Sequence, residues 1–186
     1  MKKAVCVLLL LVLLAGCSGK NWELEQGIAL RTKILASPLC SFDADITADY
    51  GNKLHTFSMQ CLADCRGTIR FTVTAPESIS GIQGSVEGSK GTLRFDDVAL
   101  DFPMLADNQV TPVSAPWLLI KALRSGCITS AGGEKNLARL SIDDSYDDDA
   151  LHLDIWLDEN GLPIRGEILY REHKILSLIV KNFTIQ

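Results

Sequence analysis

Cys17 is the residue whose surroundings define its chemistry most sharply. It follows Leu14-Ala15-Gly16, and its thiol can receive a thioether-linked diacylglycerol. The small pair Ala15-Gly16 lets a peptidase reach the backbone just before it. Upstream, Lys2 and Lys3 form a positive n-region, and Ala4 to Leu14 form an apolar run of the length used by export signals. That run is short of the roughly 20 residues needed to span a bilayer. Ser18-Gly19-Lys20-Asn21 adds no apolar length. The pattern predicts a lipoprotein signal peptide over 1–16, cleavage before Cys17, and a lipidated tether over 17–21. Diacylglycerol on Cys17 brings more than one chain, enough for stable anchoring. The expected location is the extracytoplasmic face of a bacterial membrane, in the cell envelope.

The remaining thiols fit the same compartment. Cys6 leaves with the signal, and Cys40, Cys61, Cys65 and Cys127 stay. An even number of exported cysteines predicts two disulfides, with three pairings open. A hairpin turning near Gly51 would return Cys40 close to Cys61, with Cys65 as the neighbouring alternative. A zinc site is disfavoured: Cys61 and Cys65 lack the usual knuckle spacing, no second close pair exists, and no histidine lies beside them. The Cys-x-x-Cys spacing of a redox pair is absent.

No arrangement predicts catalysis. The chain has neither a Gly-x-Ser-x-Gly elbow nor a His-Glu-x-x-His motif. Cys65 with His55 or His152 would make a thiol–imidazole pair, but exported cysteines usually pair with each other. Gly81-Ile82-Gln83-Gly84-Ser85 lacks the Lys-Ser/Thr ending of a phosphate loop. Asp43, Asp45 and Asp49 share one side of a strand and read as a solvated face. The loop Asp143 to Asp149 is rich in oxygen ligands but lacks calcium-loop spacing. No metal, no cofactor and no catalytic residue is expected. Removing Lys2 and Lys3 takes the formal charge from −5 to −7. No basic surface is concentrated enough for nucleic acid.

The elements that would position any site follow from periodicity. About 170 residues remain after cleavage, enough for one domain over 22–186 with a real core. Trp22, Leu24, Ile28, Ala29 and Leu35 recur at helical spacing through Ala36, with Asn21 as cap and Pro38 as stop. From Cys40 the period becomes two: Cys40, Phe42, Ala44, Ile46, Ala48 and Tyr50 share one face. Phe57, Met59 and Cys61 lead the next strand, then Ile69, Phe71 and Val73. A weak strand over Ile79–Val86 and an alternation through Val98, Leu100 and Phe102 complete a meander. Ser114 and Pro116 open a second helix that Gly126 stops. Its residues Trp117, Leu118, Leu119, Ile120, Ala122 and Leu123 are apolar nearly all round, so the sheet should enclose it. It is read as a core helix or as the wall of an apolar cavity lined by Trp117, Leu118, Ile120 and Leu123. Strands resume near Ala138, and Ile175 to Ile185 is read as closing the sheet, covered on both faces. The fold class expected is α+β: a strongly curved antiparallel sheet, an incomplete β-barrel, with helices packed against or inside it.

This order of lipobox, helix, meander, helix, meander resembles the LolA/LolB-like superfamily of envelope proteins. The ending matches best, with Asn160-Gly161-Leu162-Pro163-Ile164 followed by Leu178-Ile179-Val180-Lys181-Asn182-Phe183-Thr184-Ile185. Within that group it is similar to small lipoproteins of spore-forming anaerobes, including the germination lipoprotein that binds a cell-wall amidase. The resemblance implies one of two roles. One is a non-enzymatic scaffold that docks a protein partner in the envelope. The other is a lipid or hydrophobic-ligand binder, or a lipoprotein-sorting protein, with an acyl-chain ligand. Lipidation of Cys17 counts against a freely diffusing shuttle.

Overall fold

The computed structural model describes residues 21–49, 51, 53–64, 66–88, 90–103, 105–106, 109–147 and 150–186. Cys17, the expected lipidation site, and Cys65 lie outside them. Helix α1 is Trp22–Ala36 and helix α2 is Ala115–Ser125. The strands are β1 Leu39–Asp49, β2 Leu54–Asp64, β3 Ile69–Ala75, β4 Gln83–Glu87, β5 Lys90–Phe95 and β6 Val98–Pro103. After the short pair β7 Leu105–Ala106 and β8 Gln109–Val110 come β9 Cys127–Glu134, β10 Leu137–Asp143, β11 His152–Leu157, β12 Pro163–Tyr170 and β13 His173–Ile185.

Eleven strands form one antiparallel sheet in the order β6-β5-β4-β3-β2-β1-β13-β12-β11-β10-β9. The sheet is open, which corrects the expectation of a strongly curved, incomplete barrel. Closing a barrel requires the two edge strands to pair. Here the chain's first and last strands pair with each other in the middle of the sheet, Ala44 opposite Val180 and Ile46 opposite Leu178. The edges therefore fall to β6 and β9, which come from the middle of the chain. The last strand does not close the sheet, and Ile179 on its outer face is exposed.

Both helices lie on one face. Helix α2 packs on β2, β10 and β13, and α1 on β9, β10 and α2. Strand β1 shows how the sequence sets this: Cys40, Phe42, Ala44, Ile46 and Ala48 are buried, while their neighbours are not. Phe42 stacks on Phe183 at 5.4 Å between ring centroids. The helix α1 forms where expected, and the Asn21 side chain accepts from the Leu24 amide at 2.9 Å. Its inward face is not the expected one. Gly27, Leu30 and Ile34 are buried, whereas Trp22, Ile28 and Leu35 are exposed. Gly27 explains the rotation, because a Cβ there would stand 2.8 Å from Leu140 Cδ1. Arg31 on the same side donates three bonds to the end of α2. Ser114 does not cap α2; its hydroxyl turns back to the Thr111 carbonyl.

The hairpin β1–β2 corrects the cysteine geometry. Its register sets Cys40 opposite Ala63 and Cys61 opposite Phe42, so the two cysteines are offset by one pleat. Cys40, Cys61 and Cys127 are free thiols, against the expected disulfides. Burial pushes the thiols of Cys40 and Cys61 up from their ordinary value.

Candidate functional site

Helix α2 carries the four residues expected to line an apolar cavity, Trp117, Leu118, Ile120 and Leu123. Leu118, Ile120 and Leu123 are at most 2 % exposed and belong to the central core. Trp117 alone of the four expected lining residues faces a cleft, one of about 250 Å³ shared with Leu35, Arg66, Lys121 and Arg124. Lys121 Nζ lies 5.4 Å from the centre of the Trp117 ring and 2.9 Å from Asp144. Arg124 donates to the Asp64 carbonyl at 3.2 Å. Lys121 and Arg124 of this cleft already serve the fold.

An exposed apolar surface lies further along the same face of the sheet. Strands β5 and β6 pair Leu93 with Leu100, Phe95 with Val98 and Gly91 with Phe102. These positions continue the inward row that begins with Phe71 and Val86, since Gly84 sits opposite both Phe71 and Leu93. Neither helix covers them. Phe95, Val98 and Leu100 are 54 %, 60 % and 64 % exposed. Leu93 and Phe102 are half-buried and pack against the core. The result is an apolar shelf that runs from the core to the sheet edge, where β6 has a partner on one side only. Gly91 shapes it: a Cβ there would fall inside the Phe102 ring, so only glycine lets that ring lie flat on the strand. Contiguous exposed apolar side chains of this kind mark binding surfaces. The alternation through Val98, Leu100 and Phe102 was visible in the sequence. What could not be seen was that the covering helices stop short of it.

A polar cluster occupies the opposite face of β10–β12. Asp154 is buried, with Arg139 donating to it at 2.6 Å and Ser141 at 2.7 Å. Burial alone would raise its carboxyl, but those bonds hold it below the usual carboxylate range. His152 Nδ1 pairs with Asp143 at 2.7 Å, and its Nε2 lies 3.5 Å from Asp154. Ser141 donates to the carboxylate and not to the imidazole. A serine hydroxyl in that role is tied up rather than activated. Trp156 lies between the guanidinium groups of Arg139 and Arg165, 5.3 and 4.4 Å from its centre, and donates to Glu134. The cluster orders the sheet's outer face. Among the described residues no group of three His, Cys, Asp or Glu is placed to hold a metal ion. None of them forms a helix long and apolar enough to cross a membrane.

No protein-family model matches the chain, and no curated protein matches it. Similar solved structures exist. A LolA superfamily protein of Nitrosomonas europaea is 8 % identical, over 86 % of this chain and 93 % of that one, with a TM-score of 0.47. The lipoprotein LppX of Mycobacterium tuberculosis is 10 % identical over 88 % and 93 %, with a TM-score of 0.41. A structure of the CwlD amidase of Clostridioides difficile in complex with the GerS lipoprotein is matched at 12 % identity over 91 % and 98 %, with a TM-score of 0.41. At identities and scores this low, none of them carries a family or a function over to this chain.

Proposed function

We propose that this protein is a non-catalytic binding protein, held by lipid on Cys17 at the extracytoplasmic face of a bacterial membrane, that takes a hydrophobic ligand on its open sheet. The observation that carries this reading is the shelf formed by Leu93, Phe95, Val98, Leu100 and Phe102. Its side chains are purely aliphatic or aromatic and continuous with the core. An acyl chain laid along it would remove that surface from water, at about 25 cal/mol per Å² of apolar area. The site belongs on the surface beside the core rather than beneath α2, whose inward residues Leu118, Ile120 and Leu123 are packed.

A second reading has its own observation. Strand β6 is an edge with an apolar face, the arrangement a partner's strand can extend by main-chain pairing. This is the protein-docking scaffold in structural terms.

Native mass spectrometry of the full-length protein, released gently from nonionic detergent, tests the first reading. A co-purified acyl ligand is expected, and it should be lost from the variants Leu100→Asp and Val98→Asp. Absence of any bound hydrophobic molecule, with no uptake of added palmitate, overturns it. Crosslinking of a photoreactive group at Asp101 to one stoichiometric envelope protein would favour the scaffold.

A further inference from the structure

The shelf lies on the face that carries the helices, and the opposite face of β2–β5 holds a second feature. A groove of about 590 Å³ is lined there by Arg70, Arg94, Gln60, Thr72, Gln83 and Ser85, among others. The registers place these side chains in two adjacent rows. One row runs Leu62, Arg70, Ser85, Thr92 across four strands, and the next runs Gln60, Thr72, Gln83, Arg94. Arg70 stands on β3 and Arg94 on β5, so the two flank β4. Two strand spacings, about 10 Å, separate them across the sheet, and they are offset by one row along it. Both are long side chains and both are exposed. A group seated above β4, between Gln83 and Ser85, is approached by one guanidinium from each side.

The charges make this groove unusual for the molecule. The chain is acidic overall, with a formal charge of −5. Elsewhere on this face its cations hold carboxylates: Arg139 holds Asp154, Arg165 and Lys174 hold Glu167, and Lys181 holds Asp45. Among the described residues Arg70 and Arg94 have no such partner. The carboxylates bordering the groove are engaged by others. Asp101 accepts from Thr92 at 2.9 Å and Asp43 from Asn182 at 2.6 Å.

We infer that this groove binds a polar ligand bearing an oxyanion, a phosphate or carboxylate, held between Arg70 and Arg94. Guanidinium forks match both groups with paired charge-assisted bonds. The amides of Gln60 and Gln83 and the hydroxyls of Thr72 and Ser85 supply donors and acceptors for the remainder of the ligand. The volume is that of an ordinary small-molecule site, of which roughly 300–1,000 Å³ is typical. A sugar phosphate or sugar acid presents this combination in solution. The headgroup of an anionic lipid presents it at the membrane to which the protein is tethered.

The test is a titration of the full-length protein in nonionic detergent, followed by the nitrogen-15 NMR signals of the arginine Nε–H groups. The probes are glucose 6-phosphate, galacturonate and dihexanoyl phosphatidylglycerol. Saturable shifts of Arg70 and Arg94 are expected with at least one probe, weakening as salt is raised. Arg70→Gln and Arg94→Gln should each reduce affinity about tenfold, as loss of a charged hydrogen bond does. Lys181→Gln, outside the groove, should leave it unchanged. Response to the sugar anions alone identifies a soluble ligand, and response to the lipid probe alone identifies a headgroup; both support the site. No saturable shift with any probe overturns it. So does full binding in the double variant Arg70→Gln/Arg94→Gln.

Discussion

Arg31 donates to the carbonyl of Gly126 at 2.8 Å, from the middle of one helix to the stop of the other. The same guanidinium reaches Leu123 O at 2.8 Å and Ala122 O at 3.1 Å. The last carbonyls of a helix have no partner within it, and a cation there also meets the negative end of the helix dipole. Ala122 O also accepts from the Gly126 amide at 3.0 Å, so Arg31 shares that carbonyl, supplies the bonds to Leu123 O and Gly126 O, and ties α1 to the end of α2. Arg31→Ala should lower unfolding stability by about 2–3 kcal/mol, the scale of charged hydrogen bonds to otherwise unpaired groups. Arg31→Lys should recover only part, since an ammonium cannot span three carbonyls as a planar fork does. Urea unfolding of the variants is the measurement. Equal stability of Ala and Lys variants would assign the effect to packing alone.

Cys40 and Cys61 should behave as inert core thiols. Both are 4 % exposed, and burial raises both thiols away from the reactive thiolate. Peptide mapping after alkylation should find them unmodified in the folded protein and modified after denaturation. A Cys40–Cys61 crosslink found by the same mapping would contradict the register of β1 on β2.

Acid should weaken the fold through a few carboxyls. Asp154 and Glu167 are both held below the usual range: burial works to raise them, and Arg139 with Ser141, or Arg165 with Lys174, outweigh it. A folded-state value below the unfolded one gives stability that is complete above the unfolded value, about 3.9 for Asp and 4.3 for Glu, and lost as pH falls through the folded value. Wild-type stability should therefore decline below about pH 4. Asp154→Asn should be less stable at pH 7 by about 2 kcal/mol. Its deficit should shrink in acid, because the wild type loses the same contribution there. A constant deficit from pH 7 to pH 3, read by chemical unfolding, would refute the assignment.

Much of this was legible in the residues. The alternation from Cys40 to Ala48 names the buried face of β1 correctly, because a central strand covered on one side must alternate. The limits of α1 follow from Asn21 and Pro38. Its inward face does not, because Gly27 and Arg31 decide it. A glycine and an arginine score as non-apolar, yet one makes room for Leu140 and the other caps α2. Strand β9 gave no pattern, since Gly132 and Gly133 interrupt any alternation. Asp154 and Trp156 alternate with the apolar row Leu153, Ile155 and Leu157 and point to the opposite face, yet both are 4 % exposed. Arginines 139 and 165 cover them, a pairing between strands that no local spacing reveals. The barrel expectation failed on topology. Strand lengths and turn spacing are the same whether the last strand closes an edge or pairs with the first in the middle.

Gly91 offers the most direct test of how the apolar shelf is attached to the core. Phe102 lies flat over Gly91 on the neighbouring strand, and with Leu93 it forms the junction between buried and exposed apolar residues. Any side chain at position 91 must push that ring outward. Gly91→Val should cost about 1–3 kcal/mol, the usual range for overpacking, despite the higher strand propensity of valine. The displaced ring would no longer shield the junction, so dye binding to exposed apolar surface should rise in the folded variant. If Phe102 is also shortened, in Gly91→Val/Phe102→Ala, the clash is gone, and the double variant should be more stable than the two single losses added together. Simple additivity in that cycle would mean the ring and the glycine act independently, and the shelf would then need another anchor.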